Sequence, residues 1–172
     1  MVENDKLRIG GIKYSGGIVQ ANLNYTASET DPGRLLFRLF TVQKINASMI
    51  THNTKGDEIY LSCCVSNNDR QKIEYPIEGY DTLKNRIWFR EELGLLSIFP
   101  HKSRIHVLGY TLKAFSNVEI PVYAMATSIS AITFVTRYQF MEKAVEALKS
   151  YFILPDHHTP FKPEFHVKQI QP

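Results

Sequence analysis

Between Gly17 and Val65 the hydrophobic and polar positions change period twice. Val19, Ala21, Leu23 and Tyr25 alternate with Gln20, Asn22 and Asn24, which predicts a half-buried strand over Ile18 to Thr26. Thr26 to Thr30 is a polar loop, and Asp31-Pro32-Gly33 then reads as a helix start, with Asp31 as cap and Pro32 in the first turn. Leu36, Leu39, Phe40 and Val42 carry that helix to Lys44. Strands follow at Ile45–Ile50 and Ile59–Val65, joined through the turn Lys55-Gly56-Asp57. On the second of them Ile59, Leu61, Cys63 and Val65 share one face, as expected of a sheet covered by helices on one side.

Outside that stretch the pattern is less regular. Leu7 to Tyr14 reads as a strand separated from the next by Ser15-Gly16-Gly17, which suggests a hairpin or two strands of different sheets. Residues 70 to 80 carry no clear period, and Pro76 interrupts them. Tyr80-Asp81 predicts a helix entry, with Leu83, Ile87 and Trp88 inward up to Leu93. Gly94 stops it, and Leu95 to Phe99 is a strand. The first half thus spells βαββαβ. Ile105 and Val107 read as a further strand ending at Gly109, and Thr111 to Glu119 as a short link. Strands at Ile120–Ala126 and Ile132–Thr136 precede a helix from Gln139 to Phe152. The stripe Met141, Val145, Leu148 and Phe152 is expected to be core.

Composition narrows the function. The 172 residues are 44% hydrophobic and 22% charged, as in an ordinary globular protein. A net charge of +3 without a basic run argues against nucleic acid or a membrane surface as partner. The apolar runs Gly94–Phe99 and Ala131–Val135 are too short to span a bilayer, and Met1 to Asp5 lack a signal-peptide core, so a cytoplasmic location is expected. Cys63 and Cys64 are adjacent and point to opposite faces of a strand, which disfavours a disulfide between them. The six histidines show no metal spacing, and no phosphate loop or nucleophile elbow is present. No cofactor, no metal and no enzymatic activity are expected.

In order and spacing, Ile9-Gly10-Gly11-Ile12, the strand Ile18–Thr26, Asp31-Pro32-Gly33, Ile45–Ile50, Thr127–Val135 and Glu142–Leu148 resemble the tandem ACT regulatory region of aspartokinase. The chain's length resembles that of the separately made small regulatory subunit. The resemblance implies an α+β fold of two ferredoxin-like βαββαβ ACT modules, helices on one face of antiparallel sheets. The first module is expected over 17–100 and the second over 1–16 plus 101–154, leaving 155–172 as an extended tail with four prolines. Leu7 to Tyr14 would then lie beside the strands around 105 and 132. Only the nine residues Thr111–Glu119 stand where a family member has a loop and full helix, so the second module is expected to have a shortened first helix.

The resemblance further implies a non-catalytic regulator that binds a small amino acid at an ACT–ACT edge. Lysine, threonine or methionine are the classes to test, with a homodimer through the ACT modules and a biosynthetic enzyme as partner. A helix start offers amide protons and partial positive charge to a carboxylate. Here those are the amides of Gly33, Arg34 and Leu35, Pro32 having none, with Asp31 or Asn46 for the ammonium. Ser48, Thr127 and Ser128 are candidates to close the site. Asp-Pro-Gly is also an ordinary way to begin a helix. The shortened second module motivates the alternative, a ligand-free ACT protein that serves assembly alone.

Overall fold

The computed structural model describes residues 6–28, 31–99 and 105–155. The expected tail, from residue 156 on, and four of the six histidines (His101, His157, His158 and His166) lie outside them. The described elements are β1 (Leu7–Arg8), β2 (Gly11–Thr26), α1 (Pro32–Val42), β3 (Ala47–Lys55), β4 (Glu58–Ser66), α2 (Arg70–Ile77), β5 (Ile87–Phe99), α3 (Ile105–Asn117), β6 (Ala124–Thr127), β7 (Ile132–Arg137), α4 (Met141–Lys149) and β8 (Phe152–Ile153). Six strands hydrogen-bond in the order β3-β4-β2-β5-β7-β6, and β1 pairs with β8 in parallel. The pairs β2/β4, β3/β4 and β6/β7 are antiparallel. Gly16–Leu93 form one compact unit, and the described parts of Met1–Ser15 and Gly94–Pro172 form another.

In the unit of residues 16–93, the expected alternation sets the core. Val19, Ala21 and Leu23 of β2 and Leu61, Cys63 and Val65 of β4 pack against Leu36, Leu39 and Phe40 of α1 and Ile73 and Ile77 of α2. The next residues on the strands, Gln20, Asn22 and Cys64, are buried outside that cluster. Their polar groups are paired. Asn22 Nδ2 donates to Gln20 O at 3.1 Å, Ser62 Oγ donates to Asn22 Oδ1 at 2.8 Å, and Arg90 donates to Gln20 Oε1 at 3.1 Å.

The other unit builds its core from Ile12 and Tyr14 of β2, Leu96 and Ile98 of β5, and Ile132 and Phe134 of β7. Val107, Ala114 and Phe115 of α3 and Met141, Val145 and Leu148 of α4 cover them. The expected stripe of Met141, Val145, Leu148 and Phe152 is buried throughout.

Four expectations are corrected. Leu7–Tyr14 and Ile18–Thr26 are not separated by a turn: β2 runs through Ser15-Gly16-Gly17, with Gly17 at φ +67° supplying the bend that a side chain would resist. The segment read as a strand to Gly109 and a short link is α3, with 13 residues the longest of the described helices, so the second unit's first helix is not shortened. Its buried residues Val107, Thr111, Ala114 and Phe115 recur at helical spacing, and Gly109 is tolerated inside it. The helix expected from Asp81 to Leu93 lies earlier, at α2, where Ile73 and Ile77 share a face and Pro76 falls in the last turn. Ile87–Phe99 is instead a single strand whose Ile87 and Phe89 alternate toward the core. Finally, Leu7–Tyr14 does not lie beside a strand at 105, which is helical, and β5 stands between β2 and β7.

Both cysteines are free and buried, and burial pushes each thiol up to about 12 from an ordinary 9. The folded thiols therefore stay neutral where unfolded ones ionise. Their contribution to stability is intact below pH 9 and falls as pH rises from 9 toward 12. In the native state at pH 8, labelling by a thiol reagent is expected to be at least about a hundredfold slower than in denaturant, since the thiolate is the reacting form. Equal rates in the two conditions would overturn this.

Candidate functional site

The start of α1 forms where β2 ends. Tyr25 stands two residues beyond Leu23, on the face that α1 covers, and its hydroxyl reaches the first turn of the helix. Asp31 caps that turn: its Oδ1 accepts from the Arg34 amide at 3.0 Å, and its carbonyl accepts from the Leu35 amide at 3.4 Å. Pro32 and Gly33 are buried, Leu35 is half-buried, and Asp31 and Arg34 are exposed. Burial first, and then the charge of Asp31 and its hydrogen bond, hold the Tyr25 phenol above its ordinary value. The phenol is therefore a neutral donor to the carboxylate. Gly33 is required by this closeness, for a Cβ there would lie 2.6 Å from the Tyr25 hydroxyl oxygen and 3.2 Å from Asp31 Oδ1.

Of the three amides expected to face a ligand, Arg34 and Leu35 are thus taken up by Asp31 itself. The Gly33 amide is the one left without a partner among the described residues. What remains is a carboxylate and a phenol beside a single amide. A carboxylate with a neighbouring hydroxyl suits an ammonium group, and one amide proton at a helix start suits one carboxylate oxygen.

Asn46 and Ser48 do not join this group within one chain. Asn46 follows the far end of α1, which at 11 residues is about 16 Å long. The ladder gives the same answer. Ala47 pairs with Val65 and Val65 with Val19, whereas Lys55 pairs with Glu58 and Glu58 with Thr26. The start of β3 is therefore level with Val19, roughly 20 Å along β2 from Tyr25. Both side chains are exposed.

Thr127 and Ser128 belong to the other unit. Thr127 ends β6 opposite Ile132, and Ser128 closes the hairpin, its Oγ accepting from the Ala131 amide at 3.0 Å and its own amide donating to Ala131 O at 2.8 Å. Tyr25 is the residue that the sequence reading left out of the site. Its signal was the period of two, which places it beneath the helix that Asp31 opens. Among the described residues no group of three or more His, Cys, Asp or Glu is placed to hold a metal ion. No described helix is long and apolar enough to cross a membrane.

No protein-family model matches the chain, and no curated protein matches it in sequence. Solved structures do match it in fold. The ligand-free regulatory subunit of aspartate kinase from Thermus thermophilus superposes with a TM-score of 0.73 at 17% identity, covering 84% of this chain and 99% of that one. Aspartate kinase from Clostridium acetobutylicum gives 0.72 at 13% identity, over 85% of this chain and 35% of that one. Aspartokinase III from E. coli, in complex with lysine and aspartate, gives 0.61 at 16% identity, over 87% and 34%. The chain therefore has the fold of the aspartate kinase regulatory subunits, ferredoxin-like and of the ACT type.

Proposed function

We propose that this protein is a non-catalytic regulator that binds a small amino acid and passes the binding state to a second copy of itself or to a biosynthetic enzyme. The observation that supports it most is the likeness to a regulatory subunit over nearly that subunit's whole length. The start of α1 supplies the ligand chemistry, with Asp31 and Tyr25 for an ammonium and the Gly33 amide for a carboxylate oxygen.

A second copy completes this site. β3 ends the strand order, Ile50 on it is 48% exposed, and Phe37 on α1 is 37% exposed. Antiparallel pairing of two β3 strands about Thr51 sets Ser48 of one copy opposite Thr54 of the other. Asn46 and Ser48 then lie level with the other copy's α1 start, which a single chain does not achieve. The shift in packing available to the ligand is set by its differential affinity, about 1–3 kcal/mol.

A second reading, an ACT protein that only assembles, is favoured by one observation: Asp31 already satisfies two of the amides. Titration calorimetry with lysine, threonine and methionine separates the two, with sedimentation in the presence and absence of each. Saturable heat for one of them is expected, with a rise in melting temperature of about 5–10 °C at a concentration of roughly 100 Kd. A constant oligomer that gives neither heat nor shift with any amino acid would leave only the assembly reading.

A further inference from the structure

Helix α3 lies wholly within the unit that includes residues 94–155, and its buried residues Val107, Thr111, Ala114 and Phe115 define the side that faces the core. The opposite side of a helix bordering solvent is ordinarily polar. Here it is not. Ile105, Gly109, Leu112 and Ser116 follow one another at steps of 4, 3 and 4, the spacing of a coiled-coil seam. All four are exposed, Ile105 at 71% and Leu112 at 37%, and Leu108 is half-buried beside them. No charge falls on the seam.

Gly109 has no internal reason to be glycine. A Cβ there would meet nothing within 4 Å, and its torsion is not one that side chains resist. Glycine in the middle of a helix is unfavourable to the fold itself. What it provides is a notch between Ile105 and Leu112, where the ridge of a second helix can come close.

The border of the seam carries one sign of charge. His106 and Lys113 are exposed, each one residue past a seam position, and α3 holds no Asp or Glu. The described helices of a second copy answer this poorly. α3 against α3 sets basic residues beside basic ones, and α1 exposes Arg34 and Arg38 and has no acidic residue. α2 has only eight residues, and α4 turns Glu142, Lys143, Glu146 and Lys149 outward, both signs without an apolar seam.

We propose that the outward side of α3 is a docking face for a helix of another protein, one that is apolar along a seam and carries Glu or Asp beside it. The apolar seam supplies the contact, and His106 and Lys113 select the partner by charge. This names a kind of partner for the regulatory role proposed above. It does not depend on an amino acid binding at α1, so the calorimetry described there and the test below fail separately.

The probes are a synthetic helical peptide of about three heptads, with leucine along one seam and glutamate beside it, and a twin with lysine for each glutamate. With the full chain at low salt, the glutamate peptide is expected to bind saturably and about tenfold more tightly than its twin, a preference that shrinks as salt is raised. His106→Glu with Lys113→Glu should reverse the order. Ile105→Glu, at the most exposed seam position, should lower affinity for the glutamate peptide at least about tenfold. Gly109→Gln introduces a better helix former, so the melting temperature should hold or rise while affinity for that peptide falls about tenfold. Binding of neither peptide, equal binding of both, or an affinity indifferent to Gly109→Gln would overturn the proposal. So would a photo-crosslinking residue at position 112 that couples to residues 156–172 of its own chain or to a second copy, since the face would then already have its occupant.

Discussion

Gly94→Val is expected to lower stability by roughly 3 kcal/mol or more, the upper end of what overpacking costs. A Cβ at this position would sit 2.5 Å from the terminal methyl of Met141 and 2.6 Å from the backbone carbonyl oxygen of Ser15. The methionine end can swing away, since its side chain is unbranched. The carbonyl cannot, because it belongs to β2, the strand beside β5 in the sheet. Relieving the contact therefore means separating two strands around Leu93 and Leu96, both fully buried. Against a total stability of about 5–15 kcal/mol, that is a large share. Urea unfolding measures it, with a midpoint fall of about 1–3 M at an unchanged slope as the expected result. Gly94→Ala should show the same sign and a smaller size. A Gly94→Val protein within about 0.5 kcal/mol of the parent would mean that the strands separate at no cost.

The same glycine shows where sequence reasoning succeeds and where it stops. From the sequence, Gly94 ends a helix; in the fold it is a place on β5 where a side chain would run into the Ser15 carbonyl of β2. The difference lies in Leu83 and Ile87, whose spacing of four fits a helix as well as it fits a turn followed by a strand. Nothing local separates the two, and pairing with β2 decides the matter. For α3 the misleading signal was the alternation Ile105-His106-Val107 followed by a glycine. The true period is carried by Val107, Thr111, Ala114 and Phe115, and it emerges once Thr111 is counted among the buried residues. Thr111 satisfies its own hydroxyl by donating to the Val107 carbonyl at 2.7 Å, so it is buried without another partner. The strand–helix–strand–strand run from Gly17 to Val65 was plain because each element there is long and keeps one period. At the candidate site, Asp31 as cap was plain for the same local reason. The separation of Asn46 from Asp31 was implicit in the helix between them, since eleven residues of helix carry the chain about 16 Å away. Tyr25 stayed hidden because its role depends on where α1 lies over β2, which is tertiary.

Gly33→Val is expected to weaken amino-acid binding about a hundredfold while leaving the fold in place. The loss follows from two effects at one atom. A side chain here displaces the Tyr25 hydroxyl, which lies 2.6 Å from where the Cβ would be, and so removes the donor that orients the Asp31 carboxylate. It also shields the Gly33 amide, the one amide of the first turn left for a ligand carboxylate. A hydrogen bond to a charged group contributes about 1.5–3 kcal/mol, which is a factor of roughly 10 to 150 in affinity. The helix itself survives, since the Leu35 amide keeps its bond to the Asp31 carbonyl and Leu36, Leu39 and Phe40 keep their places in the core, and circular dichroism should show it. Tyr25→Phe removes the hydroxyl without adding bulk, so it isolates the first effect and should cost less affinity than Gly33→Val. If the parent protein binds an amino acid and Gly33→Val binds it equally well, the ligand lies elsewhere and the α1 start is purely a helix cap. If Tyr25→Phe costs as much as Gly33→Val, the orientation of Asp31 carries the binding, and the ammonium rather than the carboxylate is the group that this end of the helix reads.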